Sequence, residues 1–438
     1  MMISIPLIAI AMGLLLSPGS LTILGNNVGI AGASFLVAML TGLVVHLFTA
    51  LSFGECSLHF PGPDGEARLL KQSMGPTPAL VLPLCSRVLF TLCAATSILA
   101  IAGYAFNEIF VLWFPNLGFS FCLLGFLLLI NLLGPRVSST AQIFFVAMTV
   151  LGLLLLSIVG LMHMGKAPLT FEASIPGPSH MGGVILFGLV LFVGFDLAVF
   201  SKESDSPHPM KRIRSMILGI LLAAIVLALW GLVSLKYVSP SKLVDTSLPH
   251  MFAARQIMGQ SGRVIMGLVV LSGSCAAVNA LLMAVSVMIS GMAKQGLLPA
   301  FLDVRPKRVP IALIVLVLGI AAMMATGMAG KPEMETYTKA AIWFWLLHYA
   351  TIHIAVLIVR RRSRGRSHPF QVLVSPVIPL VGALTLLMGL AGLLWTAPQG
   401  ALVLKFILVV LLTVSIFAFF LIRMTQGRRS RASQKNPV

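Results

Sequence analysis

The line Ile10-Ala11-Met12-Gly13-Leu14-Leu15-Leu16-Ser17-Pro18-Gly19 interrupts the first long apolar segment of the chain with glycine and proline. A second line, Phe192-Val193-Gly194-Phe195-Asp196, interrupts the sixth. Two broken apolar helices five segments apart point to a small-molecule site at the midplane of a bilayer.

The chain around these lines has 438 residues, 58% of them hydrophobic and only 10% charged, whereas soluble domains carry about 25% charged residues. Apolar runs of about 20 residues recur throughout, and in hydrocarbon each must satisfy its own backbone hydrogen bonds as a helix. The fold class is therefore all-α and polytopic. Spans are expected at about 3–24, 30–53, 78–112, 118–134, 141–163, 183–200, 211–236, 262–293, 309–329, 336–359, 371–396 and 401–423, twelve in all. The first begins almost at Met1 with no basic region ahead of it, and reads as a retained helix. A single transmembrane domain over 1–423 is expected, with a basic tail at 424–438.

The formal net charge of +18 does not imply nucleic acid, because the basic residues gather in short loops between apolar runs. With both termini in the cytoplasm, Arg68, Lys71, Arg87, Arg136 and the runs at 360–366 and 423–435 share one side. All but eight of the 30 basic residues are then inside. Those eight are Lys166, Lys236, Lys242, Arg255, Arg263, Lys331, Lys339 and Lys405. The lipid bilayer is thus a partner, and the charge runs read as orientation signals rather than regulatory lipid sites. The five cysteines stand singly in or beside apolar segments, with no spacing for a metal or disulfide framework, and no cofactor is expected.

Pro18 has no N–H, so the Leu14 carbonyl loses its helical partner, and Gly13 has little helix propensity. A fresh helix start is expected near Leu14, and its free N–H groups and dipole would attract a carboxylate. An interruption at Val193-Gly194 would end a half-helix whose carbonyls suit an ammonium group. Together the two breaks describe a receptor for an α-amino acid. The substrate-lining candidates are Ala11, Met12, Gly13, Leu14, Leu15, Phe192, Val193, Gly194 and Phe195. None of them carries a charge, which favours a neutral, mainly apolar side chain.

At these residues the sequence resembles the amino acid–polyamine–organocation transporter superfamily. Its glycine-rich first helix and following P-G compare with Ile10 to Leu15 and Pro18-Gly19. Its stretch after helix 2 compares with Gly54-Glu55, Phe60-Pro61 and Asp64-Gly65-Glu66. Its helix 6 pattern compares with Phe192 to Asp196, Glu203 and Pro207, and the end of its helix 8 with Met292-Ala293-Lys294-Gln295-Gly296-Leu297-Leu298-Pro299-Ala300-Phe301. The resemblance implies a LeuT-like inverted repeat of five plus five helices, over 1–163 and 183–359, followed by two helices at 371–423. It also implies secondary active transport in the plasma or bacterial inner membrane, by alternating access, coupled to protons or to exchange. Ala11 and Met12 replace two of the family's small residues, helix 5 lacks the lysine that some members use, and Val287 stands where arginine is often found.

Asp196, the one acid placed near mid-helix, is the leading coupling candidate, with Glu203 and Trp343 as gate candidates. His348 and His353 sit on different helix faces, which argues against a shared metal, and read as packing residues. Ser272, Ser274 and Asn279 read as hydrogen-bonding glue between helices. There is no ATP-binding loop, and the few acids do not cluster as an enzyme would require. The alternatives to amino acid transport are a polyamine or organic-cation transporter and a non-transporting regulatory membrane protein of the same fold.

Overall fold

The computed structural model describes residues 3–110, 113–162, 186–200, 209–304, 309–329, 331–362, 376–396 and 400–435. Among these residues all regular structure is helical. Seven helices are long and apolar enough to cross a membrane, and five shorter apolar ones accompany them. Span 1 is α1 (Ile5–Leu15) with α2 (Pro18–Ala31), and span 2 is α3 (Phe35–His59). After α4 (Gly65–Met74), span 3 runs from α5 (Pro76–Pro83) through a π-turn at Leu84–Val88 into α6 (Leu89–Ile109). Spans 4 and 5 are α7 (Asn116–Leu132) and α8 (Pro135–Met162). Span 6 is α9, residues 186–191, followed by a turn and a 3-10 segment at Phe195–Phe200. Spans 7 and 8 are α10 (Pro209–Tyr237) and α12 (Pro249–Lys294), with α11 (Pro240–Asp245) between them. The last four are α13 (Ile311–Ala325), α14 (Pro332–Arg362), α15 (Val377–Thr396) and α16 (Gly400–Lys435).

The loop left between the expected spans 211–236 and 262–293 is itself largely helical, and α12 begins in it at Pro249 and turns at Gly259 (φ 62, ψ −135) before entering span 8. The backbone of the expected tail continues α16 as far as Lys435.

The first break lies further along than the sequence suggests. Gly13 and Leu14 are helical, and α1 ends only at Leu15. The physical cause is Pro18. Its ring drives Ser17 out of the helical region, to φ −66 and ψ 156, and its fixed φ then starts α2. Ser17 Oγ caps the new helix by accepting from the Ser20 N–H at 3.2 Å. The Leu14 carbonyl is satisfied by the Ser17 N–H and by Ser20 Oγ, both at 3.1 Å. Gly13 instead serves close packing, since a methyl group there would lie 2.9 Å from the Ala276 carbonyl oxygen of α12.

The second break is where the sequence puts it. Residues 192–194 form a turn, Gly194 has φ 106, and the chain tightens into the 3-10 segment. Side chains rarely tolerate that φ.

Core and periphery follow from burial. The apolar window of α12 is 78% buried, whereas that of α16 is 17% buried. Span 8 is thus a central post, and span 12 presents Leu412, Phe419 and Phe420 outward. Helix α1 packs against α8, α10, α12 and the 3-10 segment, which brings the two breaks together.

Candidate functional site

At the contact of the breaks, Leu14 of α1 lies on Gly194. A Cβ at Gly194 would come within 2.3 Å of Leu14 Cδ2. Phe192, Val193 and Phe195 are buried around it. The ring centroids of Phe192, Phe195 and Tyr349 stand 5.9, 5.8 and 5.7 Å from that of His46 on α3. Ala11 and Met12 point elsewhere, against Gly219 of α10, where a methyl group would approach Ala11 Cβ to 2.9 Å and Met12 Cγ to 3.7 Å. Leu15 is buried in the core. Beyond the breaks, a small apolar depression, with room for about one water molecule, is lined by Ile23, Leu24, Asn27 and Ala31 of α2, Phe35 and Met39 of α3, and Phe187, Gly188 and Leu191 of span 6.

Asp196, just past the second break, is not an isolated acid. Its Oδ2 receives Arg87 Nε at 3.0 Å and Arg87 Nη2 at 2.5 Å. Its Oδ1 receives Tyr349 O–H at 2.5 Å and the Trp345 indole N–H at 3.2 Å. Tyr349 in turn accepts the Gly194 N–H at 3.1 Å, so the acid is tied to the break itself.

Arg87 does not belong with the cytoplasmic loop residues among which the charge pattern places it. It projects from the π-turn of span 3 and is fully buried. Its guanidinium also meets Glu66 of α4, with Nη1 2.9 Å from Oε1 and Nη2 2.9 Å from Oε2. Phe200 and Trp345 flank it with ring centroids at 5.0 and 5.5 Å. His348, read from sequence as a packing residue, belongs to the same cluster, with Nε2 3.0 Å from Glu66 Oε1. The cluster is held because each buried charge faces an opposite charge and hydrogen-bond partners. The signal for it was an arginine inside the apolar stretch that begins at Pro76. An ionisable residue within a span is a functional candidate by default.

Trp343 donates to the Leu390 carbonyl of α15 at 3.3 Å, away from both breaks. Trp345 holds the place beside Asp196 instead. Glu203 lies outside the described residues. His353 accepts or donates at Thr49 and Ser52 of α3, at 3.1 and 2.8 Å, so it ties α14 to α3. Nearby, Arg360 grips Glu55 with two bonds of 2.7 and 2.5 Å. Asn279 joins α7, α8 and α12 through Asn131, Ser138 and Gln142, and Gln142 reaches the Ala9 carbonyl of α1 at 3.1 Å. Ser272 pairs with Thr149 of α8 at 2.9 Å.

Two facing breaks in a helical bundle of this depth define a polytopic membrane transporter, and the comparisons agree. The sequence profile of amino acid permeases matches residues 5–423, and the chain belongs to that family. It is 24% identical over 414 residues to the inner membrane transport protein YbaT of Escherichia coli K12, covering 90% of this chain and 91% of that protein. It is 23% identical to the D-serine/D-alanine/glycine transporter of the same strain, covering 81% of this chain and 78% of that protein. A methylthioribose transporter of Bacillus subtilis is 26% identical over 226 residues, covering 50% of this chain and 48% of that protein. Among solved structures, the Eremococcus coleocola manganese transporter superposes with a TM-score of 0.57 at 13% identity, covering 97% of this chain and 94% of that one. The protein is a membrane transporter of the amino acid–polyamine–organocation superfamily, not an enzyme.

Proposed function

We propose that this transporter moves neutral, mainly apolar amino acids by alternating access around the two breaks, with both termini in the cytoplasm. The observation that carries the reading is the contact of Leu14 with Gly194, each beside an interrupted helix. A substrate carboxylate would meet the start of α2, where Ser17 and Ser20, bonded here to each other and to the Leu14 carbonyl, would turn their hydroxyls to it. Its ammonium would meet carbonyls at the end of α9, and its side chain Leu14, Phe192, Val193 and Phe195. The candidates Ala11, Met12, Gly13 and Leu15 then support the site through packing.

The buried acids nearest the breaks, Asp196 and Glu66, are both engaged by Arg87. This disfavours a polyamine or a cationic side chain, which would need an acid of its own. The test is counterflow of labelled leucine in proteoliposomes. Exchange driven by leucine, isoleucine, valine or methionine is expected, whereas arginine or glutamate outcompeting leucine would rule out the substrate class. Counterflow with no amino acid would instead favour the regulatory reading.

A further inference from the structure

Of the side chains packed on the second break, His46 carries a hydrogen-bonding atom that the fold leaves unused. Gly42 of α3 lies directly on span 6, where a Cβ would strike the Gly188 carbonyl, and this close approach brings His46, one turn further along α3, to the break. His46 Nδ1 lies 2.7 Å from the Gly42 carbonyl oxygen. A carbonyl only accepts, so Nδ1 carries a ring hydrogen and donates it there. The ring is fully buried, and among the described residues no carboxylate forms an ion pair with it. A buried imidazolium without a counter-charge is costly, so the ring is neutral and Nε2 bears a lone pair. Among the described residues nothing donates to that lone pair. An acceptor left unpaired in a dry interior costs free energy, and a fold keeps one where something else completes it.

The surroundings of the ring select the partner. Phe192 and Phe195, which flank the turn at Gly194, and Tyr349, which accepts the Gly194 N–H, enclose His46 with their rings. Aromatic faces attract a cation and repel an anion. Asp196, the acid at the break, is already filled. Its four lone-pair sites are met by Arg87 Nε and Nη2, the Tyr349 O–H and the Trp345 N–H. His46 Nε2 remains open to a donor, and a donor that also carries positive charge fits the rings around it.

We infer that His46 is a substrate-binding residue, whose Nε2 accepts an N–H of the substrate's ammonium group while the faces of Phe192 and Phe195 receive its charge. This rests on the transport reading and adds a side chain of α3 to a site otherwise built from spans 1 and 6. No proton changes hands. One ammonium hydrogen is shared with Nε2, and the others are left for the carbonyls at the end of α9. In the conformation seen here Leu14 closes on Gly194 and the rings close on His46, so the lone pair is reached when α1 and span 6 part. Because the contact is to the amino group, a compound lacking that group forfeits it whatever its side chain.

Competition in the counterflow assay reads this contact. Leucine and 4-methylpentanoate, which is leucine without its amino group, are compared as inhibitors of labelled leucine exchange. In His46→Phe, which keeps a ring among rings but has no lone pair, the advantage of leucine over 4-methylpentanoate should fall about tenfold or more, the weight of a hydrogen bond to a charged group. An unchanged ratio overturns the proposal, since a purely structural loss weakens both compounds alike. Solid-state ¹⁵N spectra of the full chain, histidine-labelled and in bilayers, give a second readout. The unprotonated ring nitrogen that is missing from His46→Phe should move upfield when leucine is added and stay in place with 4-methylpentanoate. A resonance unmoved by leucine, or a His46 ring protonated on both nitrogens, overturns the assignment. Should the variant fail to fold, ¹⁵N-labelled leucine on the labelled wild type decides: a through-space contact between its ammonium and an unprotonated ring nitrogen is expected, and its absence rejects the contact. Wild-type counterflow separates the readings, because exchange without these signals refutes His46 alone, whereas no exchange refutes transport of these substrates.

Discussion

Leu14 occupies the space that a side chain at Gly194 would need, 2.3 Å from the position of a Cβ there, while Gly194 itself holds φ 106. One helix break is therefore keyed into the other. Gly194→Val is expected to abolish counterflow, because a β-branched residue disfavours that φ and strikes Leu14. The Leu14→Ala change should partly rescue Gly194→Ala but not Gly194→Val. Wild-type counterflow by Gly194→Val would show that the break does not move or hold substrate.

Gly13 should behave differently, because it is helical and packed against backbone. Gly13→Val forces a contact with the Ala276 carbonyl, and overpacking typically costs about 1–3 kcal/mol. A lowered thermal midpoint, followed by size-exclusion fluorescence, is expected along with lost transport. Full stability with selective loss of substrate affinity would return Gly13 to the binding surface.

Arg87 balances two buried acids, so Arg87→Met strands both. Removing one partner of a buried pair costs about 3–5 kcal/mol. The variant should show a clear drop in thermal midpoint, and adding Glu66→Gln with Asp196→Asn should recover much of it. If the triple variant is no more stable than the single one, the loss comes from packing against Phe200 and Trp345 instead.

Ser17 caps α2 through the Ser20 N–H, and Ser17→Ala should cost about 0.5–2 kcal/mol of helix-start stability. If a substrate carboxylate meets this turn, the same change raises KM for leucine more than it lowers kcat. A midpoint shift with unchanged KM would confine Ser17 to capping.

The orientation is tested by labelling. In a cysteine-free background, a cysteine at position 430 should resist an impermeant maleimide on intact cells and react after permeabilisation. Reaction from outside would invert the assignment drawn from the basic residues.

Composition and apolar run length determined the polytopic helical class, because hydrocarbon leaves a spanning backbone no other way to satisfy its hydrogen bonds. Local chemistry also placed the second break, since a turn at Val193-Gly194 needs a residue that accepts positive φ. The first break was legible but misplaced, because Gly13 signals both flexibility and close approach, and only the neighbouring Ala276 backbone decides between them. The roles of Arg87, Glu66, Asp196 and His348 were out of reach along the chain. These residues come from four separate segments, and a charge read alone looks like a loop cation or a lone acid. Tertiary packing decided their meaning by closing them into one buried cluster, where each group's state depends on the charges that distant segments bring to it.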